Sequence, residues 1–228
     1  MLNTEEIKKN VGRKAADYVQ DHSIIGLGTG STVIWLIKEL GLRVNQGLQI
    51  KAVATSNATR KLAADLGITI LPLNEVDNIS LTIDGADEID PQFNLIKGGG
   101  GALLQEKMVA AASDQVLIIA DETKYVSQLG RFPLPVEVVP SGWKQVRKKI
   151  QQLGCQRAEL RLTRNLPFLT DNGHFILDCH FETIADPAAL NISLHLVPGV
   201  VETGLFIDMS RTALIGKSDG HIEEINKV

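Results

Sequence analysis

Hydrophobic positions in the first 20 residues recur at the spacing of one helix face. Ile7, Val11, Ala15 and Val19 fall on every fourth position. This predicts an amphipathic helix over residues 4–19, with Thr4 as a candidate cap and Glu5 and Glu6 in the first turn. The pattern then changes to short apolar runs at Ile24–Leu27, Ile50–Ala54, Ile68–Leu71, Ile79–Ile83 and Val116–Ala120. Continuous apolar runs of this length predict strands buried on both faces. Helix-like segments fall between them at Val33–Leu40, Ala58–Leu66 (closed by Gly67) and Ala102–Ala112. Strands alternating with helices predict a parallel sheet covered on both faces, with ligands expected beyond the carboxyl ends of its strands.

From about residue 132 the order changes. A strand at Val136–Val139 precedes a helix at Trp143–Leu153 closed by Gly154, and then a strand at Ala158–Leu162. The turn Asp171-Asn172-Gly173 leads into a strand at Phe175–Leu177, and Asp186-Pro187 starts a helix that runs to His195. A strand at Val200–Phe206 completes a βαββαβ series, the ferredoxin-like split arrangement. The tail returns to sheet, with Ala213–Ile215, a turn at Asp219-Gly220, and Ile222–Ile225. The expected fold is therefore α/β. A doubly wound, mostly parallel sheet domain takes residues 1–131 plus 207–228, and an inserted ferredoxin-like α+β domain takes residues 132–206.

Composition narrows the function. At 228 residues, 44% hydrophobic and 22% charged, the chain is not disordered. A net charge of −4 without a basic stripe argues against nucleic acid. The run Arg147-Lys148-Lys149 reads as a solvated helix face. Cys155 and Cys179 form no CxxC pair, so no disulfide framework is expected and a reduced compartment suits the chain. The polar stretch Met1–Asn10 does not read as a signal or transit peptide. No run of about 18 apolar residues predicts a membrane span. A cytoplasmic location is expected. His22, His174, His180, His195 and His221 show no ligand spacing and read as structural or surface residues, so no metal is expected. The motifs GxSxG and HExxH are absent, which leaves serine-hydrolase and zincin chemistry without their residues.

Four segments could carry chemistry. The first is Gly26 to Thr32, a turn between a strand and a helix in which Gly28, Thr29, Gly30, Ser31 and Thr32 combine flexible backbone, hydroxyls and helix-start amides. It lacks the third glycine of a dinucleotide fingerprint and the GK[ST] of a P-loop, so it is either a phosphate cradle or an ordinary βα turn. The second is Asp84-Gly85-Ala86-Asp87-Glu88-Ile89-Asp90, with four carboxylates in seven residues. Crowded like charges oppose one another's ionisation. Such a loop could bind a cation, hold polyol hydroxyls, or be a solvated turn, the last fitting Glu88 and Asp90 best. The third runs from Lys97 through Gly98, Gly99, Gly100 and Gly101 to Glu106. Four glycines in succession are costly to order, so packing alone is a poor reason for them. They deliver a helix start next to a lysine. Glu106 early in that helix is either a general base or a surface carboxylate paired with a lysine. The fourth is Asp121 to Lys124, where Lys124 follows a strand and could reach the same crevice or be an ordinary exposed lysine.

Taken in order, Gly28-Thr29-Gly30-Ser31-Thr32, Asp84-Gly85-Ala86-Asp87-Glu88, Lys97-Gly98-Gly99-Gly100 and Glu106-Lys107 strongly resemble ribose-5-phosphate isomerases of the A type. The likeness continues through Phe132 to Val138, Pro198-Gly199-Val200-Val201 and Thr203 to Phe206, and covers nearly the whole chain. Only Ile207–Thr212 departs from the family pattern, and it holds no candidate catalytic residue. The resemblance implies metal-free, cofactor-free interconversion of ribose 5-phosphate and ribulose 5-phosphate by a homodimer or homotetramer. It implies Glu106 as general base, Asp84 and Asp87 as the pair that engages sugar hydroxyls and assists ring opening, and Lys97 with the following glycine amides as oxyanion stabilisers. Gly28 to Thr32, Gly85, Ala86 and Lys124 fall at substrate-contacting positions, and Lys8 is a weaker candidate for the phosphate. A sugar-phosphate sensor on the same fold could lack the base, whereas Glu106, Asp84 and Asp87 are all present. Acyl-coenzyme A transfer on a related architecture fits the short chain and acidic loop less well. A hexosamine-phosphate deaminase would be expected to have a histidine near the acidic loop, and none lies between His22 and His174.

Overall fold

The computed structural model describes residues 1–227. The chain folds into two compact units. The first takes Met1–Ala86, Gln105–Tyr125 and the chain from Met209 onward; the second takes Asp87–Leu104 and Val126–Asp208. Residues 87–104, expected with the first domain, thus belong to the second unit.

In the first unit the strands are β1 (Ile24–Leu27), β2 (Lys51–Ala54), β3 (Thr69–Ile70), β4 (Leu81–Asp84), β7 (Val116–Asp121), β15 (Thr212–Gly216) and β16 (Ile222–Asn226). They form one seven-stranded sheet in the order β16-β15-β7-β4-β1-β2-β3, parallel except for the β15–β16 hairpin. Helices α1 (Thr4–Ala15), α2 (Ser31–Asn45) and α3 (Asn57–Asp65) belong to this unit, as does most of α4 (Leu103–Ala111). Ile25, Leu27, Ile83, Leu117, Ile119 and Leu214 bury one sheet face in a core shared with Val11 of α1 and Leu36 of α2. On the opposite face Val53 and Ile79 pack with Val109 of α4. Helices on both faces explain why β7 is buried at all six positions and why its sequence shows no polar alternation.

The chain winds outward from β1 through β2 to β3, then returns to place β4 on the other side of β1. The carboxyl ends of β1 and β4 are thus the point where the winding reverses, and a crevice opens there in folds of this kind. Gly28 passes directly over Asp84 at this point. A Cβ at position 28 would fall on the Asp84 carboxylate and lie 2.6 Å from its Cα. The glycine is therefore fixed by close approach rather than by turn geometry.

The second unit holds a four-stranded antiparallel sheet, β13-β8-β12-β9, made of β8 (Leu134–Val138), β9 (Arg157–Leu160), β12 (Phe175–His180) and β13 (Val200–Thr203). With α5 (Trp143–Gln152) and α6 (Pro187–His195) this is the ferredoxin-like order. Val136, Val138, Leu177 and Cys179 of the sheet bury against Val146 and Ile150 of α5 and Leu194 of α6. Asp186 caps α6 by accepting the Ala189 N–H, with Pro187 in the first turn as expected.

Several elements differ from the sequence reading. The strand expected over Ala158–Leu162 ends at Leu160, and Arg161 stands between β9 and a short hairpin of β10 (Leu162–Thr163) and β11 (Leu166–Pro167). The strand expected over Val200–Phe206 divides into β13 and β14 (Leu205–Phe206). The latter joins β5 (Glu88–Ile89) and β6 (Leu95–Ile96) in a three-stranded sheet that two-residue runs could not announce. The α1 helix gives way to a 3-10 turn at Ala16–Tyr18, and α2 continues to Asn45. The cap of α1 is Asn3, not Thr4. Its side chain accepts the Glu6 N–H at 2.9 Å while the Glu6 carboxylate accepts the Asn3 N–H at 3.0 Å, a complete capping box.

Three substitutions test these local arrangements by denaturant melts. Asn3→Ala should cost about 1 kcal/mol, whereas Thr4→Ala should cost a few tenths at most. Gly28→Ala must displace Asp84 or its backbone, and should destabilise by about 1–3 kcal/mol, the scale of an overpacked core.

Candidate active site

In the first unit, the candidate residues gather at the carboxyl ends of the parallel strands. Gly28 to Thr32 follow β1, Asp84 ends β4, and Lys124 lies in the 3-10 turn Glu122–Lys124 after β7. Asp84 is 2% exposed. Its Oδ1 accepts the Thr29 N–H at 3.0 Å and the Gly85 N–H at 2.7 Å. Those two bonds offset part of the cost of burying a carboxylate and fix both the β1–α2 loop and the turn beyond β4. Thr29 turns its hydroxyl toward Thr55 (2.7 Å) and Ser56 (2.8 Å), and Thr59 donates to the Gly28 carbonyl at 2.8 Å. No sequence motif announces this hydroxyl cluster, drawn from the end of β2 and the start of α3. Its members are single Ser and Thr residues that only the β1–β2 pairing brings beside Thr29.

Gly30 precedes α2 with φ 141°, a conformation glycine adopts and side chains resist. No side chain caps this helix, and its first turn holds no acidic residue, while Gly30 and Ser31 are exposed. Its opening amides therefore present partial positive charge to the surface, the environment an anion prefers. Thr32 is instead buried at 8% exposure. Gly85 and Ala86 are half-buried beyond β4, and Lys124 and Lys8 are half-buried on the 3-10 turn and on α1. Glu106 lies in the first turn of α4 and is only 2% exposed, so the alternative of an exposed surface carboxylate does not apply.

In the second unit, Lys97 is 3% exposed, with its N–H donated to the Gly204 carbonyl at 2.9 Å and its Nζ 5.4 Å from the Phe206 ring centre. The glycines follow it. Gly98 is buried, while Gly99 and Gly100 are exposed. Asp87 accepts the Gly99 N–H on Oδ2 at 2.7 Å, so the acidic loop and the glycine run are joined. A Cβ on Gly99 would stand 2.5 Å from Oδ1 of Asp87, so a side chain there would have to displace that carboxylate.

The solvated-turn reading of Glu88 and Asp90 is corrected. Both are buried, at 3% and 5% exposure. Glu88 accepts the N–H groups of Gly130 at 2.8 Å and Phe132 at 2.7 Å, and Asp90 closes its own turn through the N–H groups of Gln92 and Asn94, both at 2.9 Å. They are structural carboxylates. Among the described residues no cluster of three or more His, Cys, Asp or Glu could hold a metal ion, and no helix is long and apolar enough to cross a membrane.

Comparison with known proteins matches residues 51–220 to the family model of ribose 5-phosphate isomerase A (phosphoriboisomerase A). A Bacillus cereus protein named ribose-5-phosphate isomerase A is 55% identical over 220 residues, covering 96% of this chain and 99% of the relative. A namesake from Jannaschia sp. is 50% identical, covering 96% and 86%. Among solved structures, a D-ribose-5-phosphate isomerase in complex with phospho-erythronic acid superposes with a TM-score of 0.95 at 38% identity, covering 99% of this chain and all of that one. The Plasmodium falciparum ribose 5-phosphate isomerase superposes with a TM-score of 0.94 at 37% identity, covering 98% and 99%. The fold, the ordered motifs and these matches agree: the chain belongs to the ribose 5-phosphate isomerase A family.

Proposed function

We propose that this protein interconverts D-ribose 5-phosphate and D-ribulose 5-phosphate, and that Glu106 is the base that moves the proton. The observation that carries the assignment is the burial of Glu106. A carboxylate in the first turn of a helix that follows a glycine run, with only 2% of it exposed, is costly to desolvate. Aldose–ketose isomerisation needs such a group. The base removes the proton from C2 of the open-chain aldose, the electron pair forms the C1–C2 double bond of an enediolate, and charge moves onto O1. The proton is then returned at C1 while the O2 proton passes to O1, leaving the ketone at C2. The atoms balance without a redox partner.

The remaining candidates take the other roles. Lys97 and the amides of Gly98 and Gly100 stabilise the oxyanion, a job for fixed positive charge and oriented dipoles, while the Gly99 N–H is held by Asp87. Asp84 and Asp87 engage the sugar hydroxyls and assist opening of the furanose, which needs one proton removed from O1 and one delivered to the ring oxygen. Gly28 to Thr32, with Gly85, Ala86, Lys124 and Lys8, hold the rest of the substrate. The uncapped start of α2 suits the phosphate, whose binding energy can orient the distant reacting carbons. No cofactor enters this scheme. We place the enzyme in the cytoplasm as a homodimer or homotetramer, following the family resemblance.

The test is turnover of ribose 5-phosphate by the purified chain, with and without EDTA, beside Glu106→Gln. EDTA-resistant formation of ribulose 5-phosphate is expected, with kcat lowered ~10² or more in the variant and substrate binding retained, the scale for loss of a general base. A folded Gln variant turning over near the wild-type rate would remove Glu106 from the role. A folded wild type that binds ribose 5-phosphate without converting it would point instead to a sensor.

A further inference from the structure

The glycine run is held from the side by two residues that no motif singles out. Arg161 stands where β9 ends, and its Nη1 donates to the Gly98 carbonyl at 2.9 Å and to the Gly99 carbonyl at 3.1 Å. The same guanidinium is anchored on Asp178 of β12, through Nε to Oδ2 at 2.9 Å and Nη2 to Oδ1 at 2.5 Å. Both side chains are largely buried, at 15% and 23% exposure. Arg161 also lies over the Phe168 ring at 5.9 Å, and that ring packs so closely beneath Gly101 that a Cβ there would collide with it.

We infer that the Asp178–Arg161 pair is a positioning device that aims the Gly100 amide of the glycine loop at the developing oxyanion; this rests on the isomerase reading above. The geometry follows from peptide planarity. The Gly98–Gly99 peptide is gripped at both ends, its carbonyl by Arg161 and its N–H by Asp87. In the next peptide the Gly99 carbonyl faces Arg161. In a trans peptide the N–H points opposite to the carbonyl, so the Gly100 N–H is directed away from the guanidinium, at an exposed residue. Four consecutive glycines left to themselves would sample many orientations. An arginine fork clamped by a carboxylate removes that freedom, because its donors are coplanar and its charge strengthens both bonds. A cation on the carbonyl side also polarises each peptide, making its N–H a better donor. Glycine supplies the close approach, and the Arg161–Asp178 pair supplies the order that glycine lacks. Arg161 acts through the loop and is not itself a catalytic residue.

The experiment compares wild type with Arg161→Gln, Arg161→Ala and Asp178→Asn in the full-length protein, after checking by circular dichroism and thermal melts that each is folded. It reads kcat and KM for ribose 5-phosphate and the inhibition constant of phospho-erythronic acid, whose carboxylate carries charge where the enediolate does. For Arg161→Gln we expect kcat to fall about 10- to 100-fold, the scale for a misaligned oxyanion donor, with KM within about threefold and inhibitor affinity falling alongside kcat. Added guanidinium at millimolar concentration should recover part of the Arg161→Ala rate, which a general loss of structure would not permit. Asp178→Asn should lower kcat by about threefold or more, and it decides the question if the Arg161 variants do not fold. Folded Arg161→Gln with kcat and inhibitor affinity within twofold of wild type, or a loss seen only in KM, would overturn the role. So would guanidinium that leaves folded Arg161→Ala unchanged. An unimpaired Gln variant beside an active wild type defeats the positioning role alone. An inactive wild type defeats the isomerase reading and the role with it.

Discussion

The first unit depends on how closely the β1 loop can cross the end of β4. Parallel winding that reverses between these strands brings the two chain segments together, and the Asp84 side chain lies in the gap. A buried carboxylate is tolerable only if its oxygens find donors, and the amides of Thr29 and Gly85 meet Oδ1 from either side. Only glycine at position 28 lets the backbone come near enough for the Thr29 N–H to reach. The aspartate, the glycine and the start of α2 are therefore one arrangement. A change in any of them alters where the uncapped helix start points, which links a packing constraint to the place where an anion would be held.

The second unit solves a related problem differently. Its glycine run must approach other groups closely, and a side chain at Gly99 or Gly101 would strike Asp87 or Phe168. Glycine grants that approach at the expense of rigidity. The rigidity returns from a turn within the run, where the Gly101 N–H donates to the Gly98 carbonyl at 2.9 Å, and from outside it, through a carboxylate on one side of the Gly98–Gly99 peptide and a guanidinium on the other. The break in β9 at Arg161 matters here. Had the strand continued, Arg161 would remain an ordinary strand residue, whereas the β10–β11 hairpin that follows leads the chain round to Phe168.

The sequence made the large elements legible because each is announced by repeated positions. Apolar runs gave the parallel strands, a period of four gave α1, and the βαββαβ order gave the ferredoxin-like sheet. The ordered glycine and acidic motifs led to the family. What stayed hidden is what depends on pairing across the chain. Nothing local distinguishes Arg161 from the neighbouring Arg157 or Arg164, since its role comes from the register that sets Asp178 beside it. Thr55, Ser56 and Thr59 look like the end of a strand and a helix cap, which they are, and only β1–β2 pairing adds Thr29 to them. The two-residue strands β5, β6 and β14 are too short for any periodicity to register.

The acidic loop shows most directly why composition underdetermines chemistry. Asp84, Asp87, Glu88 and Asp90 share a residue class and seven positions, yet their hydrogen bonds divide them. Glu88 gives one oxygen to Gly130 and the other to Phe132, and Asp90 spends both oxygens on its own turn through Gln92 and Asn94. These two are fixed at both oxygens by structural donors, and each is buried where a ligand would have to displace those donors to compete. Asp84 and Asp87 instead accept from the amides of Thr29 and Gly99, residues of the loops in which ligand-binding backbone is expected. A carboxylate that orders such a loop is sensitive to what the loop binds, because any movement of the loop changes the solvation of its charge. Whether a carboxylate serves the fold or the reaction is thus set by which backbone it holds.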